Sequence, residues 1–187
     1  MVLGAGVMGT GIAAHMANLG WQVDLLDQKS FTAHPDQIAR DAVQKLLRSR
    51  PQQLALEDFA NRIRTGNTQD HLDRARNADW VVEAIAEDHE LKRTLLNRLA
   101  ECCGDHTVIS SNTSGLSLSD MTANCPLTLR KRFLGTHFFN PPRYMRPIEL
   151  VPTPLTSRAV MADFQDFAEQ ILGKSVVVAH DTPGFIS

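Results

Sequence analysis

The sequence predicts an α/β domain of the doubly wound type, in which helices cover both faces of a mostly parallel sheet. Apolar runs of strand length alternate with amphipathic stretches of helix length along the chain. A glycine-rich turn joins the first strand to the first helix, and the content of 43% hydrophobic and 21% charged residues is typical of globular proteins. Since the chain has 187 residues and no low-complexity linker, we expect a single domain spanning residues 1–187.

The elements follow from hydrophobic periodicity and from the residues that end each pattern. Gly20 and Gly173 each follow a helical pattern, where glycine is a favourable C-terminal cap. Met1–Leu3 is short for a strand, and we expect it to be the end of a longer one. The predicted strands are Met1–Leu3, Gln22–Asp27, Ile63–Thr65, Ala78–Ala84, Thr107–Ser110, Phe133–Phe138, Ile148–Val151 and Ser175–Ala179. The predicted helices are Val7–Leu19, Pro35–Arg50, Leu56–Asn61, Glu87–Cys102 and Ser157–Leu172. The fourth of them should bury one apolar face, made of Leu91, Leu95, Leu96 and Leu99.

Composition excludes several classes of function. The net charge of −2 gives no electrostatic reason to expect a nucleic acid or an anionic membrane as partner. Apolar runs such as Trp80–Ala86 are too short to span a bilayer, and no basic segment of a secretory signal opens the chain. The three cysteines, two of them adjacent at Cys102 and Cys103, favour free thiols and lack the spacing of a metal site. We therefore expect a cytoplasmic protein without a bound metal.

The first turn has the pattern of a phosphate-binding loop. Gly4 permits a tight turn, Gly6 lets the backbone approach a pyrophosphate, and Gly9 allows the helix to pack closely on the strand. The phosphates would lie at the helix N-terminus, beside Val7 and Met8. This pattern predicts a Rossmann-type dinucleotide site, although glycine turns between strand and helix are common and the match alone is weak.

An acidic residue strengthens this prediction. Asp27 ends the second predicted strand, 18 residues after Gly9, where a carboxylate accepts hydrogen bonds from the adenosine ribose. A carboxylate at this position repels a 2′-phosphate, so NAD is favoured over NADP. A domain that binds FAD, or a nucleotide without redox chemistry, remains the alternative.

The second half of the chain holds four motifs in a distinctive order. They are Ser111–Ser114 (SNTS), Gly135–Pro142 (GTHFFNPP), Glu149, and Asp181–Phe185 (DTPGF). Together they resemble the 3-hydroxyacyl-CoA dehydrogenase family of fatty-acid β-oxidation, and the resemblance covers essentially the whole chain. The continuation Pro141–Met145 (PPRYM) looks most like the bacterial branch in which the dehydrogenase is fused to an enoyl-CoA hydratase part.

His137 and Glu149 suit the chemistry that this resemblance implies. Oxidation of a secondary alcohol needs a base for the hydroxyl proton, and histidine has the unperturbed pKa best suited to that role near neutral pH. A carboxylate on the other ring nitrogen fixes the tautomer and stabilises the imidazolium. Spacing alone leaves a structural histidine and a solvated glutamate as alternatives. The resemblance implies that the two residues form a catalytic pair.

The resemblance also implies roles for five polar residues. Ser114 would hydrogen-bond the substrate hydroxyl or carbonyl, and Asn140 would support the catalytic pocket. Asn112 would lie near the nicotinamide ribose, while Glu87 and Lys92 would contact the cofactor. For the last two, a solvated helix start is the alternative, in which Glu87 interacts favourably with the helix dipole.

The resemblance implies an NAD-dependent oxidation of 3-hydroxyacyl-CoA to 3-oxoacyl-CoA. Lys45, Arg48 and Arg50 form a basic helix end that would meet the coenzyme A phosphates or serve as an ordinary charged turn. The alternatives are a related hydroxyacid dehydrogenase, which usually relies on a lysine base, and a non-catalytic relative kept for binding or structure.

Family members continue with an asparagine and an all-helical domain that closes over the acyl chain and usually dimerises. We therefore expect this chain to bind NAD but to turn over substrate poorly by itself.

Overall fold

The structure is a computed structural model that describes residues 1–32, 34–182 and 184–185. Its centre is a sheet of eight strands in the order β3-β2-β1-β4-β5-β6-β7-β8. The strands are β1 (Val2–Leu3), β2 (Val23–Asp27), β3 (Ile63–Asn67), β4 (Trp80–Glu83), β5 (Val108–Ser111), β6 (Phe133–Phe138), β7 (Pro147–Pro152) and β8 (Ser175–Val178). Neighbours from β3 to β6 are parallel, β7 is antiparallel to β6, and β8 is parallel to β7.

In the described residues, six α-helices and two 3-10 helices connect these strands. The α-helices are α1 (Val7–Asn18), α2 (Gln37–Leu47), α3 (His89–Cys102), α4 (Leu118–Met121), α5 (Leu127–Arg130) and α6 (Arg158–Gln170). The 3-10 helices are Glu57–Arg62 and Leu72–Asn77. None of the helices in the described ranges is long and apolar enough to cross a membrane.

Side-chain alternation along the strands divides the core into two layers, because successive residues of a strand face opposite sides of the sheet. Val2, Leu25 and Val82 belong to one buried cluster, together with apolar residues of α1, α2 and α6. Their chain neighbours Leu3 and Leu26 belong to the other, together with residues of α3, α4 and α5. The predicted doubly wound α/β fold, with helices on both faces of a mostly parallel sheet, is therefore confirmed.

The buried face of α3 differs from the prediction. Leu95, Leu96 and Leu99 are buried as expected, but Leu91 is 55% exposed and the next residue, Lys92, is buried in its place. Lys92 precedes Leu95 and Leu96 by three and four residues, so it lies on the same helical face. The prediction from apolar periodicity was wrong at Leu91 because Lys92 fills the core position. The charge of Lys92 is paired with that of Glu83, at the end of β4.

Other differences concern short elements. The helices α4 and α5 and the 3-10 helix Leu72–Asn77 were not predicted, since four to six residues give too short a window for periodicity. The segment predicted as the helix Leu56–Asn61 is the 3-10 helix Glu57–Arg62. Gly20 and Gly173 have positive φ values of 98° and 65°, as the prediction of helix caps requires.

His15 ties α1 to the loop that follows α6. Its Nε2 lies 3.1 Å from the Leu172 carbonyl oxygen, and the residue is 8% exposed. Burial, with a smaller contribution from the charge of Lys174, lowers the pKa of His15 to about 4. The folded protein therefore holds His15 neutral over a pH range in which an unfolded chain binds a proton there.

We predict that this histidine makes the fold acid-sensitive. Between pH 6.5 and pH 4.5 the unfolded state binds the extra proton, so the free energy of unfolding should fall by about 2 kcal/mol. His15→Gln keeps a donor for the Leu172 carbonyl and should remove most of this slope. Urea unfolding at several pH values checks it, with the exposed His106→Gln as matched control; equal slopes in both variants would contradict the assignment.

Candidate active site

The carboxyl ends of the parallel strands meet at one edge of the sheet, where ligands bind in open α/β folds. The glycine loop of residues 4–9 follows β1, and Asp27 ends β2. Glu83 ends β4 and Ser111 ends β5, while His137 is the last residue but one of β6. The topology thus brings the predicted cofactor loop and the predicted catalytic histidine to the same edge.

The glycine loop has the geometry of a phosphate cradle. Gly4 has a φ of 103°, and a Cβ on it would overlap the carbonyl group of Ala84. A Cβ on Gly9 would overlap the carbonyl oxygen of Gly4, so loop and helix could not approach as they do. A Cβ on Gly6 would meet no atom within 4 Å. The exposed space above Gly6 and Val7, at the N-terminus of α1, therefore fits the pyrophosphate of a dinucleotide. The predicted residue Met8 is half-buried in the first turn of the helix.

Asp27 is joined to this loop directly. Its Oδ2 accepts a hydrogen bond from the Ala5 N–H at 2.5 Å, and its Oδ1 accepts one from the Gln28 N–H at 2.7 Å. The carboxylate thus holds the loop against the end of β2. It remains half-exposed at the position where this fold receives an adenosine ribose.

His137 and Glu149 form a close pair because β7 reverses the direction of the sheet. In the antiparallel register of β6 and β7 the two residues lie directly opposite each other. The Nδ1 atom of His137 is 2.5 Å from Oε2 of Glu149. The side chain of Glu149 is 4% exposed and that of His137 is 15% exposed. A buried carboxylate at this distance orients the imidazole and leaves Nε2 as the nitrogen for proton transfer.

Three further predicted residues follow the ends of β5 and β6. Asn112 follows β5, and its Oδ1 accepts a hydrogen bond of 2.9 Å from the Phe138 N–H, which fixes it between β5 and β6. Ser114 lies on the exposed turn beyond β5, and Asn140 is exposed just beyond β6. Since β5 and β6 are neighbours, both residues follow strand ends at the edge of the sheet where His137 lies.

Glu87 and Lys92 belong to a buried charge network. The Nζ atom of Lys92 donates to Glu83 Oε1 at 2.7 Å and to the Ile85 carbonyl at 3.3 Å, and it lies 3.2 Å from Oε2 of Glu87. Glu83 and Lys92 are almost completely buried. Three acceptors thus surround the three N–H groups of Lys92. Because Lys92 is 1% exposed, any effect that it has on a ligand is indirect, for example through Glu87.

Glu87 in turn holds the turn that carries Ser114. Its Oε1 accepts hydrogen bonds from the Thr113 hydroxyl and from the N–H groups of Ser114, at 3.3 Å, and Gly115, at 3.2 Å. Partial burial opposes ionisation, but the Thr113 hydrogen bond and the Lys92 ammonium group outweigh it and lower the pKa of Glu87. The carboxylate is therefore stabilised in its ionised form on this turn.

Sequence reasoning missed Glu83, Ser111 and Thr113 as members of this network. Ser111 donates its hydroxyl hydrogen to Oε2 of Glu83 at 2.5 Å. The only available signal was a glutamate inside the apolar run from Trp80 to Ala86. A buried charge of that kind needs a partner, which indicates an ion pair without identifying Lys92.

Lys174 was also missed, and it lies against the segment that follows His137. Its Nζ donates to the carbonyl oxygen of Pro142 and, at 2.8 Å, to that of Met145. The ammonium group lies 5.6 Å from the ring centroid of Phe138, and burial lowers the pKa of Lys174 to about 8. Lys174 thus fixes the proline-rich turn between β6 and β7.

A cavity lies at the opposite edge of the sheet. About 1020 Å³ in volume, it opens at the amino ends of β1, β2 and β4, around Met1, Trp21 and Trp80. The residues of the predicted site do not line it, so the candidate site rests on the arrangement of side chains at the carboxyl edge. Within the described part of the chain, no group of three or more His, Cys, Asp or Glu side chains could hold a metal ion.

Known proteins match this chain along its whole length. The family model described as "3-hydroxyacyl-CoA dehydrogenase, NAD binding domain" matches residues 1–182. A probable 3-hydroxyacyl-CoA dehydrogenase of Deinococcus radiodurans is 42% identical over 188 residues, covering 100% of this chain and 54% of that protein. A putative fatty acid oxidation complex trifunctional enzyme of Rickettsia felis is 39% identical over 187 residues, covering 100% of this chain and 26% of that protein.

A solved structure shows the same fold. The 3-hydroxybutyryl-CoA dehydrogenase of Escherichia coli K12 superposes with a TM-score of 0.83 at 32% identity, covering 100% of this chain and 39% of that one. This chain therefore spans only part of the relatives it matches. The match over residues 1–182 nonetheless shows that it belongs to the 3-hydroxyacyl-CoA dehydrogenase family, as the NAD-binding domain, and that its cofactor is NAD.

Proposed function

We propose that this chain supplies the cofactor site and the catalytic base of an enzyme that oxidises the 3-hydroxyl group of (S)-3-hydroxyacyl-CoA to a 3-oxo group, in fatty-acid β-oxidation. The observation that carries the proposal is the 2.5 Å contact between His137 and Glu149 at the edge that holds the NAD loop. The substrate class rests on the names of the relatives from Deinococcus and Escherichia.

The chemistry of the base follows from the pair. Bound NAD supplies the hydride acceptor. Glu149 accepts a hydrogen bond from the Nδ1–H group, so that the unprotonated Nε2 of His137 can take the proton of the substrate hydroxyl. When His137 becomes an imidazolium, the buried carboxylate stabilises its charge, as the acid does in hydrolase triads.

The neighbouring polar residues position the reactants in this proposal. Ser114 hydrogen-bonds the reacting oxygen of the substrate, and Glu87 holds the turn that carries Ser114. Asn140 supports the catalytic pocket, and Asn112 lies near the nicotinamide ribose of the bound cofactor. The contribution of Lys92 to cofactor binding is indirect, because its ammonium group is surrounded by acceptors of the protein.

The surroundings of Lys174 favour this reading over a dehydrogenase with a lysine base. Lys174 is the lysine that the fold brings against the His137 segment, but its ammonium group donates to two backbone carbonyls beneath Phe138. The preorganised pair of His137 and Glu149 likewise favours an enzyme over a non-catalytic relative.

The intact protein is proposed to be larger than this domain. The chain spans about half of the Deinococcus relative, and we propose that a helical domain completes the substrate site and forms a dimer. The Rickettsia relative is named as a trifunctional enzyme, which supports a fused enoyl-CoA hydratase part. Three free thiols, at Cys102, Cys103 and Cys125, suit a cytoplasmic location. The basic residues Lys45, Arg48 and Arg50 remain candidates for the coenzyme A phosphates.

Substitutions in the glycine loop should separate binding from folding. Gly6→Ala places a methyl group in open space, so we predict a nearly unchanged melting temperature but at least about tenfold weaker NAD binding, since the methyl group obstructs the pyrophosphate. Gly9→Ala should lower the melting temperature as well, because its Cβ overlaps the Gly4 carbonyl oxygen. Calorimetric titration and thermal unfolding of both variants check this; full NAD affinity in Gly6→Ala would contradict the placement of the phosphates.

Asp27 should determine the preference for NAD over NADP. In the unmodified protein, titration should show clearly tighter binding of NAD, because the carboxylate repels the 2′-phosphate. Asp27→Ala should reduce the difference between the affinities for NAD and NADP, mainly by weakening the binding of NAD. Asp27→Asn removes the charge and keeps one acceptor oxygen, which can accept from the Ala5 N–H or from the Gln28 N–H. Equal affinity of the unmodified protein for both cofactors would exclude this role for Asp27.

Replacement of the base should act on the chemical step. In the intact protein, His137→Gln should lower kcat by on the order of 10²–10⁴-fold while NAD affinity is nearly unchanged. Glu149→Gln should lower kcat by less, because His137 remains as the base and loses only the carboxylate that orients it and stabilises its imidazolium form. NADH formation from 3-hydroxybutyryl-CoA measures both effects, and near-normal turnover of His137→Gln would show that the mechanism is wrong.

A further inference from the structure

The residues that follow β8 pack with the buried cluster of α3 and α4 and reach the proposed site. Ala179 is buried, and its N–H donates to the Leu150 carbonyl of β7 at 3.0 Å. From there the chain passes Asp181 and reaches Gly184 and Phe185 beside the predicted catalytic residues. The proposed mechanism assigns no role to this segment.

Asp181 fastens the segment to the N-terminus of α4. Its Oδ1 accepts a hydrogen bond from the Leu118 N–H at 2.8 Å. Its Oδ2 accepts two from Ser119, at 2.9 Å from the backbone N–H and at 2.6 Å from the hydroxyl group. Both carboxylate oxygens are thus engaged by three donors, and a charged acceptor strengthens each bond.

The other end of the segment contacts two residues of the proposed machinery, Ser114 and His137. The Gly184 N–H donates to the Ser114 carbonyl at 2.9 Å. The ring of Phe185 lies 6.0 Å from that of His137, at an interplanar angle of 60°. Phe185 has a φ of 46°, a conformation that a bulky residue adopts only where its surroundings impose it.

Phe185 helps to enclose the imidazole of His137. The ring of Phe139 lies 4.9 Å from the same imidazole, so aromatic rings flank it while Glu149 holds Nδ1. Such an enclosure restricts the access of water to the base and limits the orientations that the imidazole can adopt. Both effects favour proton transfer from a bound substrate over exchange with solvent.

We propose that Asp181 is a positioning residue of the active site, which keeps Gly184 on Ser114 and Phe185 on His137 by anchoring their segment to α4. Its catalytic meaning rests on the proposed function, whereas the shielding of His137 does not. The position of α4 is coupled to that of Ser114, because α4 begins only four residues after Ser114 and the short connection restricts their relative movement.

The test measures the shielding directly in the full chain. Diethyl pyrocarbonate acylates accessible imidazole nitrogens, and peptide mapping by mass spectrometry gives the rate at each histidine. Asp181→Asn leaves a single acceptor oxygen, and Phe185→Leu removes the ring while keeping the anchor. In both variants, His137 should react several-fold faster than in the unmodified protein. The matched control Asp120→Asn, an exposed aspartate of α4, should leave the rate unchanged.

Two internal references separate positioning from general loosening. The rates at buried His15 and at the more exposed His89 should stay constant in all variants. The double variant of Asp181 and Phe185 should react no faster than either single one, since both changes remove the same shield. Ser119→Ala removes one of three donors and should give a smaller increase, which also tests the anchor if Asp181→Asn does not fold.

The kinetic arm uses the intact protein. Asp181→Asn should lower kcat several-fold and leave the KM for NAD unchanged, because the glycine loop is not touched. Unchanged protection of His137 in Asp181→Asn and Ser119→Ala, or a parallel increase at His15, would overturn the proposal. If the unmodified protein turned over no 3-hydroxyacyl-CoA while Asp181 still controlled the protection of His137, the proposed function would fail and the positioning role would stand.

Discussion

The site depends on a change of direction in the sheet. Six parallel strands place the glycine loop and His137 at one edge, but parallel strands alone would not supply the histidine with a buried partner. Because β7 runs antiparallel to β6, Glu149 lies directly opposite His137 in the register. The carboxylate is then held by strand pairing rather than by a mobile loop, and the 2.5 Å contact with Nδ1 follows from the backbone. Lys174 stabilises this arrangement by fixing the turn between the two strands.

The buried ion pair of Glu83 and Lys92 also holds elements of the fold in fixed positions. Removing Glu83 and Lys92 from water costs several kcal/mol per ion, and their attraction offsets this only when the remaining donors and acceptors are paired. Here they are paired, since Glu83 also accepts from the Ser111 hydroxyl and from the Ile85 N–H. The pair therefore contributes little net stability, but it fixes the ends of β4 and β5 and the start of α3 relative to one another. Specific geometry, more than stability, explains a lysine in a position that a leucine could fill.

Sequence patterns predict the parts of this molecule that obey local rules. The strands and the long helices follow from apolar alternation and periodicity, and the helix caps follow from glycines that tolerate positive φ. The resemblance of the motifs singles out His137 and Glu149. Contacts between distant residues were not predictable. The burial of Lys92 in place of Leu91 depends on Glu83, which lies in another element. Asp181 is anchored to Leu118 and Ser119, which precede it in the sequence by 63 and 62 positions. Neither contact has a local signature, because an isolated charge in a sequence does not identify its partner.

Carboxylates that accept backbone N–H groups recur along the functional edge. Asp27 holds the glycine loop, Glu83 the end of β4, Glu87 the turn of Ser114, and Asp181 the start of α4. Loops at the carboxyl ends of strands leave N–H groups without sheet partners, and an ionised carboxylate satisfies them more strongly than a neutral acceptor does. This arrangement fixes each loop separately from the apolar core. The rigidity of the site is thus electrostatic in origin, while that of the sheet beneath it is hydrophobic.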